Sequence, residues 1–244
     1  DKMDYGLIND KMDYGLINNY FYLLYFLLYM KRSLTDFIYK YNKKVIGHGG
    51  CGHYKPNSWM AIQYCINKGI KNIEIDIQRC SDGYILYHDE QLENGLFIQN
   101  FTKEECRNIE NILSLEVLYN MINENDIFIY MDLKFHPKWT EEFYNIVYPK
   151  FKNYSIASFY DKHLEMPWPH KTLLSCSIPS DNFKESIDKL GVKCISLYHN
   201  NLSTELVNYL KSMDLEIYVW TVNNNYLALK VINDGVDGII TDLV

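Results

Sequence analysis

From Val45 to the C-terminus, short β-rich runs alternate with helix-like stretches, and this alternation limits the possible folds severely. A parallel sheet produces such alternation, because each strand needs a long crossover, usually a helix, before the next parallel strand begins. Runs such as EIYVWTV and CISLY are almost continuously apolar, as expected for strands covered on both faces. The pattern therefore predicts an α/β fold built on a parallel sheet.

The number of predicted units favours a closed barrel. We predict strands at 45–48, 72–77, 84–88, 127–133, 155–158, 172–176, 193–197, 216–221 and 238–241. Helices are predicted at 58–68, 114–122, 140–151, 182–190, 204–213 and 226–234. About eight strand–helix units in roughly 200 residues fit a (β/α)8 TIM barrel better than an open doubly wound sheet. The predicted division is an N-terminal extension at 1–43 and the barrel at 44–244.

The extension carries an exact tandem repeat and an apolar segment. DKMDYGLIN occupies residues 1–9 and again residues 10–18, which is too short for a solenoid. The apolar segment, Tyr20–Met30, is shorter than the roughly 20 residues that cross a bilayer. It could be a helix packed on the domain, a peripheral membrane contact or a targeting segment. Lys31 and Arg32 keep membrane contact open, since basic flanks meet anionic head groups.

Composition excludes some partners and compartments. The formal net charge of −7 argues against nucleic acid held by bulk electrostatics. The cysteines are scattered, without zinc-like pairing or the density of a small secreted scaffold; they are Cys51, Cys65, Cys80, Cys106, Cys176 and Cys194. A reducing compartment and a cytoplasmic location, with or without membrane association, are therefore expected.

Polar side chains cluster where predicted strands end. In a parallel barrel those carboxyl ends share one mouth, where chemistry occurs. The residues that meet this test are His48, Glu74, Asp76, His88, Asp132, Lys134 and Trp220. Their shared position is the strongest functional signal that the residues themselves carry.

The three acids predict a metal site. Glu74 and Asp76 lie at i and i+2, so both side chains point to one face of the strand, and Asp132, also projecting inward, would supply a third acid. Carboxylates brought together repel one another unless a cation compensates. Oxygen ligands suit Mg²⁺ or Ca²⁺. The alternative is a solvated strand end with no ion.

The other four residues suit acid–base chemistry and substrate binding. His48 and His88 could exchange protons near neutral pH, although either histidine taken alone would more often be structural. Lys134 could hold a phosphate, or could simply pair with a neighbouring acid. Trp220 could form a wall of the substrate pocket or belong to the core.

These segments resemble the glycerophosphodiester phosphodiesterase family. The resemblance runs through VIGHGG, PNS, NIEIDIQRCSDGYILYHDEQL, IYMDLK, VWTVNN and GVDGIITD, in order, over nearly the whole chain after the extension. It implies a (β/α)8 barrel, one divalent cation held by Glu74, Asp76 and Asp132, and catalytic histidines at His48 and His88.

Three positions depart from the family pattern. Gly49 stands where the family usually has an arginine, so one phosphate contact is missing unless another residue such as Lys134 replaces it. Pro56-Asn57-Ser58 lacks the glutamate of the usual Pro-Glu-Asn-Thr, and Asp132 occupies a position that is more often glutamate. These changes give some likeness to the related sphingomyelinase D-type phospholipases.

Three functions follow as hypotheses. The first is metal-dependent hydrolysis of glycerophosphodiesters to glycerol phosphate and an alcohol. The second is a phospholipase D-like enzyme acting on lysolipid or sphingolipid head groups, which the lost arginine and the apolar segment favour slightly. The third is a catalytically silent binding barrel.

Overall fold

The computed structural model describes residues 33–175 and 182–244 and contains a closed parallel barrel. Eight parallel strands follow one another around the ring, and pairing of β1 with β2 closes it. The strands are β1 Lys44–Gly47, β2 Asn72–Cys80, β3 Gly83–Leu86, β4 Phe128–Leu133, β5 Tyr154–Ser158, β6 Lys171–Ser175, β7 Cys194–Tyr198, β8 Glu216–Trp220 and β9 Gly238–Thr241. The predicted (β/α)8 fold is confirmed.

Helices connect the strands, as the crossover pattern requires. The α-helices are Leu34–Lys40, Trp59–Asn67, Lys103–Glu110, Leu115–Asn123, Thr140–Val147, Asp161–Leu164, Phe183–Leu190, Thr204–Lys211 and Asn225–Asp234, and single 3₁₀ turns occur at Ile98–Asn100, Pro137–Trp139 and His199–Asn201. Gly191 and Gly235 end their helices in the left-handed conformation, which glycine adopts without steric cost. No helix within the described ranges is long and apolar enough to cross a membrane.

Strand β3 differs from its prediction as a barrel strand. It pairs with β2 in the antiparallel direction, with Ile77 opposite Leu86, and lies outside the parallel ring. The reason is the short turn between Cys80 and Gly83, which permits a hairpin and leaves no room for a crossover. The β-rich run is correctly located, but its direction is reversed.

The barrel unit begins with a helix. Leu34, Phe37 and Ile38 on Leu34–Lys40 are buried, and the compact unit runs from Leu34 to Val244. The tandem repeat and Tyr20–Met30 lie outside the described residues, so their predicted roles and the division at residue 43 stay predictions.

A disulfide joins Cys51, in the loop after β1, to Cys65 in the helix Trp59–Asn67. The sequence analysis did not predict this pair. Disulfides are typical of oxidising compartments, and the reducing compartment expected from the scattered cysteines stays a prediction. The cytoplasmic location stays a prediction.

Candidate active site

The register between β2 and β4 brings the three predicted acids together. Asp76 pairs directly with Asp132, and Glu74 precedes Asp76 by two residues on the same face of β2. All three side chains are buried at the barrel mouth, with one oxygen from each lying within 4.8 Å of the others. The arrangement follows from strand alternation and from parallel pairing of adjacent strands.

Lys134 lies among these acids. Its Nζ is 2.6 Å from Asp132 Oδ2 and 3.2 Å from Asp76 Oδ1. These carboxylates raise the pKa of Lys134 despite its burial, which alone would lower it. In this arrangement Lys134 makes the acid pairing that the sequence analysis gave as the alternative to phosphate binding.

One ammonium does not balance three buried carboxylates. Burial, reinforced by Asp76, raises the pKa of Glu74 to about 8, and burial raises the pKa of Asp132 to about 6 against the opposing charge of Lys134. Asp132 Oδ1 is buried and has no hydrogen-bond partner in the described part of the chain. A hard divalent cation would satisfy that oxygen and relieve the repulsion, so the donor set fits Mg²⁺ or Ca²⁺.

His48 is oriented by a residue that the sequence analysis did not select. Its Nδ1 lies 2.7 Å from Asp242 Oδ1, and Asn223 Nδ2 donates to the other carboxylate oxygen at 2.6 Å. Burial disfavours the charged imidazole, but the Asp242 hydrogen bond and the charge of Glu74 prevail and raise the pKa of His48 to about 9. Asp242 directly follows β9, so the strand-end criterion, applied once more, would have found it.

The variant Asp242→Asn is expected to lower the pKa of His48, because it removes the carboxylate that favours the imidazolium. The raised pKa stabilises the folded protein fully below about pH 6.5, and this stabilisation is lost as pH rises through about 9. Without ion, the free energy of unfolding of Asp242→Asn should fall less than that of wild type between pH 6.5 and 9. The difference should be about 1–2 kcal/mol after allowance for the partial exposure of His48. NMR titration of His48 and urea denaturation at pH 6 and 9 measure the two effects. An unchanged His48 pKa would contradict the assignment; Asp214→Asn, at the opposite end of the barrel, is the control.

His88 reaches the mouth through the hairpin rather than through a parallel strand end. The amide of Tyr87 donates to the Asp76 carbonyl at 3.2 Å, which holds the return of the hairpin beside the acids. The imidazole is largely exposed, and its Nδ1 lies 2.7 Å from Asp89 Oδ1. Each predicted catalytic histidine thus has a carboxylate neighbour at Nδ1.

Gly49, which replaces the family arginine, supports Glu74 through its backbone. Its amide donates to Glu74 Oε2 at 3.0 Å. Its φ is +58°, and an added Cβ would lie 2.7 Å from Pro56 Cβ. A side chain at this position would therefore strain the loop, so the absence of arginine belongs to a local backbone conformation that requires glycine.

The shortened segment after Pro56 supports Asp76. Asn57 Nδ2 donates to Asp76 Oδ2 at 2.7 Å, and the Asp76 amide donates to Asn57 Oδ1 at 3.0 Å. Asn57 is buried and adopts φ +63°, which asparagine tolerates better than most residues. The clamp fixes one carboxylate oxygen of Asp76, and the sequence analysis did not foresee it.

One cavity of 140 Å³ unites the predicted site. Its lining includes all seven predicted residues, His48, Glu74, Asp76, His88, Asp132, Lys134 and Trp220. Trp220 ends β8, and its ring centroid lies 6.1 Å from that of Phe159 and 5.2 Å from that of Tyr198. Below the mouth, a cluster that includes Tyr130 and Tyr218 fills the barrel. The structure thus brings the seven residues together, while their individual roles stay predictions.

The histidines to which the sequence analysis gave no role lie outside this cavity. They are His53, His136, His163, His170 and His199. From the sequence, which offers no arrangement that would give these five a role, all of them are expected at the surface or in loops. This prediction is wrong for His163, which is fully buried in the helix Asp161–Leu164 and lies 2.7 Å from the Ser158 hydroxyl. Burial lowers the pKa of His163 to about 4, so this imidazole is neutral.

Comparison with known proteins supports the family resemblance. The model of the glycerophosphoryl diester phosphodiesterase family matches residues 173–244. A glycerophosphodiester phosphodiesterase of Caldanaerobacter subterraneus subsp. tengcongensis is 25% identical over 242 residues, which cover 81% of this chain and 93% of the relative. YhdW of Bacillus subtilis is 26% identical over 230 residues, with the same coverage. The matched family model and these relatives support the resemblance to the glycerophosphodiester phosphodiesterase family.

Solved structures of this family share the fold. An Oleispira antarctica phosphodiesterase, solved in complex with the product sn-glycerol-3-phosphate, gives a TM-score of 0.76 at 21% identity and covers 84% of this chain and 95% of its own. A glycerophosphodiester phosphodiesterase of Thermotoga maritima gives a TM-score of 0.71 at 23% identity, over 81% and 93% of the two chains. The protein shares the barrel of these structures and departs from the usual family pattern at Gly49, Asn57 and Asp132.

Proposed function

We propose that this protein is a metal-dependent phosphodiester hydrolase that cleaves glycerophosphodiesters to glycerol phosphate and an alcohol. The observation that carries the proposal is the convergence of three buried carboxylates, with an unpartnered Asp132 oxygen within the described residues, beside two histidines in one cavity. The names of the relatives and the glycerol phosphate product bound by the Oleispira antarctica enzyme support the same substrate class.

Glu74, Asp76 and Asp132 would hold the divalent cation. When bound, Mg²⁺ or Ca²⁺ would neutralise phosphate charge and lower the pKa of a coordinated hydroxyl. Asn57 and the Gly49 amide hold two of the ligands in place, which limits their reorganisation when substrate enters. Lys134, beside Asp76 and Asp132, is placed to meet a phosphate oxygen that replaces part of its carboxylate contact.

The two histidines would move the protons. One imidazole accepts the proton of the attacking hydroxyl, from the neighbouring glycerol carbon or from water, as the new oxygen–phosphorus bond forms. The other donates a proton to the departing alcohol as its bond to phosphorus breaks. From the sequence alone, we favour His48 as base and His88 as acid. The raised pKa of His48 favours the opposite order in the ion-free site, because a protonated imidazole can only donate.

Lipid head groups are the second candidate substrate. Exposed apolar side chains occur in segments that follow strand carboxyl ends, and they include Trp59, Phe97, Phe159, Tyr160 and Leu243. Aromatic side chains of this kind are common where proteins meet membrane interfaces. A lysolipid would place its acyl chain against such a rim while its phosphate reached the acids.

Turnover of paired substrates tests the proposal. Purified protein is incubated with glycerophosphocholine and with lysophosphatidylcholine, in Mg²⁺, in Ca²⁺ and in chelator. We expect glycerol phosphate and choline from the soluble diester with a divalent ion, and none with chelator. Turnover of the lipid alone would replace the first candidate with the second. No turnover of either would favour a silent barrel.

A further inference from the structure

Ser196 presents a buried hydroxyl that hydrogen bonding within the protein does not explain. The residue lies in the middle of β7 and is 0% exposed. Its Oγ has no hydrogen-bond partner among residues 33–175 and 182–244. Buried hydroxyls nearly always have a hydrogen-bond partner. A hydroxyl without one is explained by a bound ligand, a solvent molecule or a functional role.

This hydroxyl belongs to the wall opposite the acids. Ser196 lines the same cavity as Glu74, Asp76 and Asp132, while its strand neighbours in register are Leu174 on β6 and Tyr218 on β8. The acids come from β2 and β4, which lie across the ring of strands from β7. A small molecule that binds the acids through one end can therefore turn its other end toward Ser196.

Other hydroxyls that line the cavity have partners. Tyr130 donates to the Tyr218 hydroxyl at 3.2 Å, and Tyr218 in turn donates to Glu216. The Thr172 hydroxyl lies 3.0 Å from that of Ser155. Ser196 thus differs from Tyr130, Thr172 and Tyr218 in having its hydrogen-bonding capacity free for a bound molecule.

The size of the cavity suits a short polyol. At 140 Å³ the cavity is smaller than the roughly 300–1,000 Å³ of pockets for drug-sized ligands. The indole Nε1 of Trp220 donates to the Ser196 carbonyl at 3.3 Å, so the aromatic wall is attached directly to the residue with the free hydroxyl. A three-carbon group with hydroxyls matches both the size and the mixed apolar and polar lining.

We propose that Ser196 is a specificity-determining residue that binds the hydroxyl of the substrate glycerol group which takes no part in the reaction. The inference rests on the proposed function, in which the glycerol hydroxyl next to the phosphate, or water, attacks phosphorus. On entering the cavity the remote hydroxyl gives up hydrogen bonds to bulk water and gains from a partner there. Ser196 supplies one, and it thereby distinguishes glycerol diesters from diesters of shorter or less hydroxylated alcohols.

The test pairs two substrates with two proteins. Glycerophosphocholine is compared with the matched phosphocholine diester of propane-1,2-diol, which keeps the hydroxyl beside the phosphate and lacks the remote one. Wild-type enzyme with its divalent ion is expected to prefer the glycerol diester in kcat/KM by about tenfold, the usual effect of one hydrogen bond. Ser196→Ala should lose this preference, with most of the change in KM, and keep its activity on the propanediol diester.

The control variant is Thr172→Val, which removes a cavity hydroxyl that already has a protein partner. It should keep the preference for glycerol. The melting temperature of Ser196→Ala without substrate should equal or exceed that of wild type, because the serine hydroxyl makes no hydrogen bond within the described protein. A lower melting temperature together with equal losses on both substrates would indicate a structural role and overturn the inference.

Binding measurements separate this inference from the proposed function. Calorimetry compares glycerol 3-phosphate with propane-1,2-diol phosphate, each on wild type and Ser196→Ala. If no diester is hydrolysed, the proposed function fails, yet selective loss of glycerol 3-phosphate affinity in Ser196→Ala would still support the serine contact. If diesters are hydrolysed and Ser196→Ala retains the wild-type preference, the inference fails and the proposed function stands.

Discussion

Replacing His48 or His88 by alanine is expected to lower kcat on glycerophosphocholine by about 10²–10⁴-fold, the usual contribution of a positioned acid or base. Neither imidazole has a role in the core that would make its loss unfold the barrel, since both side chains are partly exposed at the mouth. Steady-state kinetics at saturating substrate and ion measure the loss, and circular dichroism with thermal melting checks the fold.

The matched control is His170→Ala. His170 is exposed and immediately precedes β6, at the end of the barrel away from the mouth. Its replacement should leave kcat within about twofold of wild type, because it contacts no residue of the proposed mechanism. Full activity in both His48→Ala and His88→Ala would refute proton transfer by these residues.

Asp132→Asn is expected to raise the Mg²⁺ or Ca²⁺ concentration needed for half-maximal activity by at least about 100-fold. The variant removes the charge of one ligand. Its effect should therefore be at least as large as the 10- to 100-fold loss of affinity that is typical when a residue that only supports a ligand is replaced. A readout without turnover is thermal stability: the ion at 100 times its Kd should stabilise wild type by about 2.7 kcal/mol, and Asp132→Asn much less at the same concentration.

An exposed acid on the outer layer provides the control for this experiment. Glu141, in the first turn of Thr140–Val147, lies away from the cavity, so Glu141→Gln should match wild type in both ion dependence and ion-induced stabilisation. If added ion left the wild-type melting curve unchanged while chelator left turnover intact, the three acids would not be a metal site.

Gly49 and Asn57 have structural roles that their departure from the family pattern does not reveal. In the sequence, these positions indicate a missing arginine and a deletion. In the structure, the loop that lacks the arginine is closed by glycine at φ +58°, and the segment after Pro56 clamps Asp76 through Asn57. The departures therefore form one compact support for Glu74 and Asp76, and the substrate test above decides whether that support also alters substrate choice.

Some of the site could be predicted because strand geometry is local. Glu74 and Asp76 share a face through the two-residue period of a strand, and Tyr130 and Asp132 on β4, with Lys134 just after it, follow the same period. Placement at carboxyl strand ends then assigns them to the mouth of a parallel barrel. Local periodicity thus determined which acids meet, before any contact between strands was known.

Other parts depended on long-range contacts. Asp242 meets His48 across 194 positions of the sequence, and Asn57 meets Asp76 through a loop whose path no periodicity describes. His163 entered the core although Asp161 and Lys162 immediately precede it. Such pairings arise only when separate segments pack together.

The sequence by itself determined the class of fold, the seven residues at the mouth and the family resemblance, because each depends on residue type and on spacing within a segment. The tertiary structure alone decided the Asp242 contact, the Asn57 clamp, the requirement for glycine at position 49 and the unpartnered Ser196 hydroxyl. The physical reason is that burial and hydrogen-bond satisfaction belong to an environment assembled from distant segments, whereas strand alternation belongs to the chain itself.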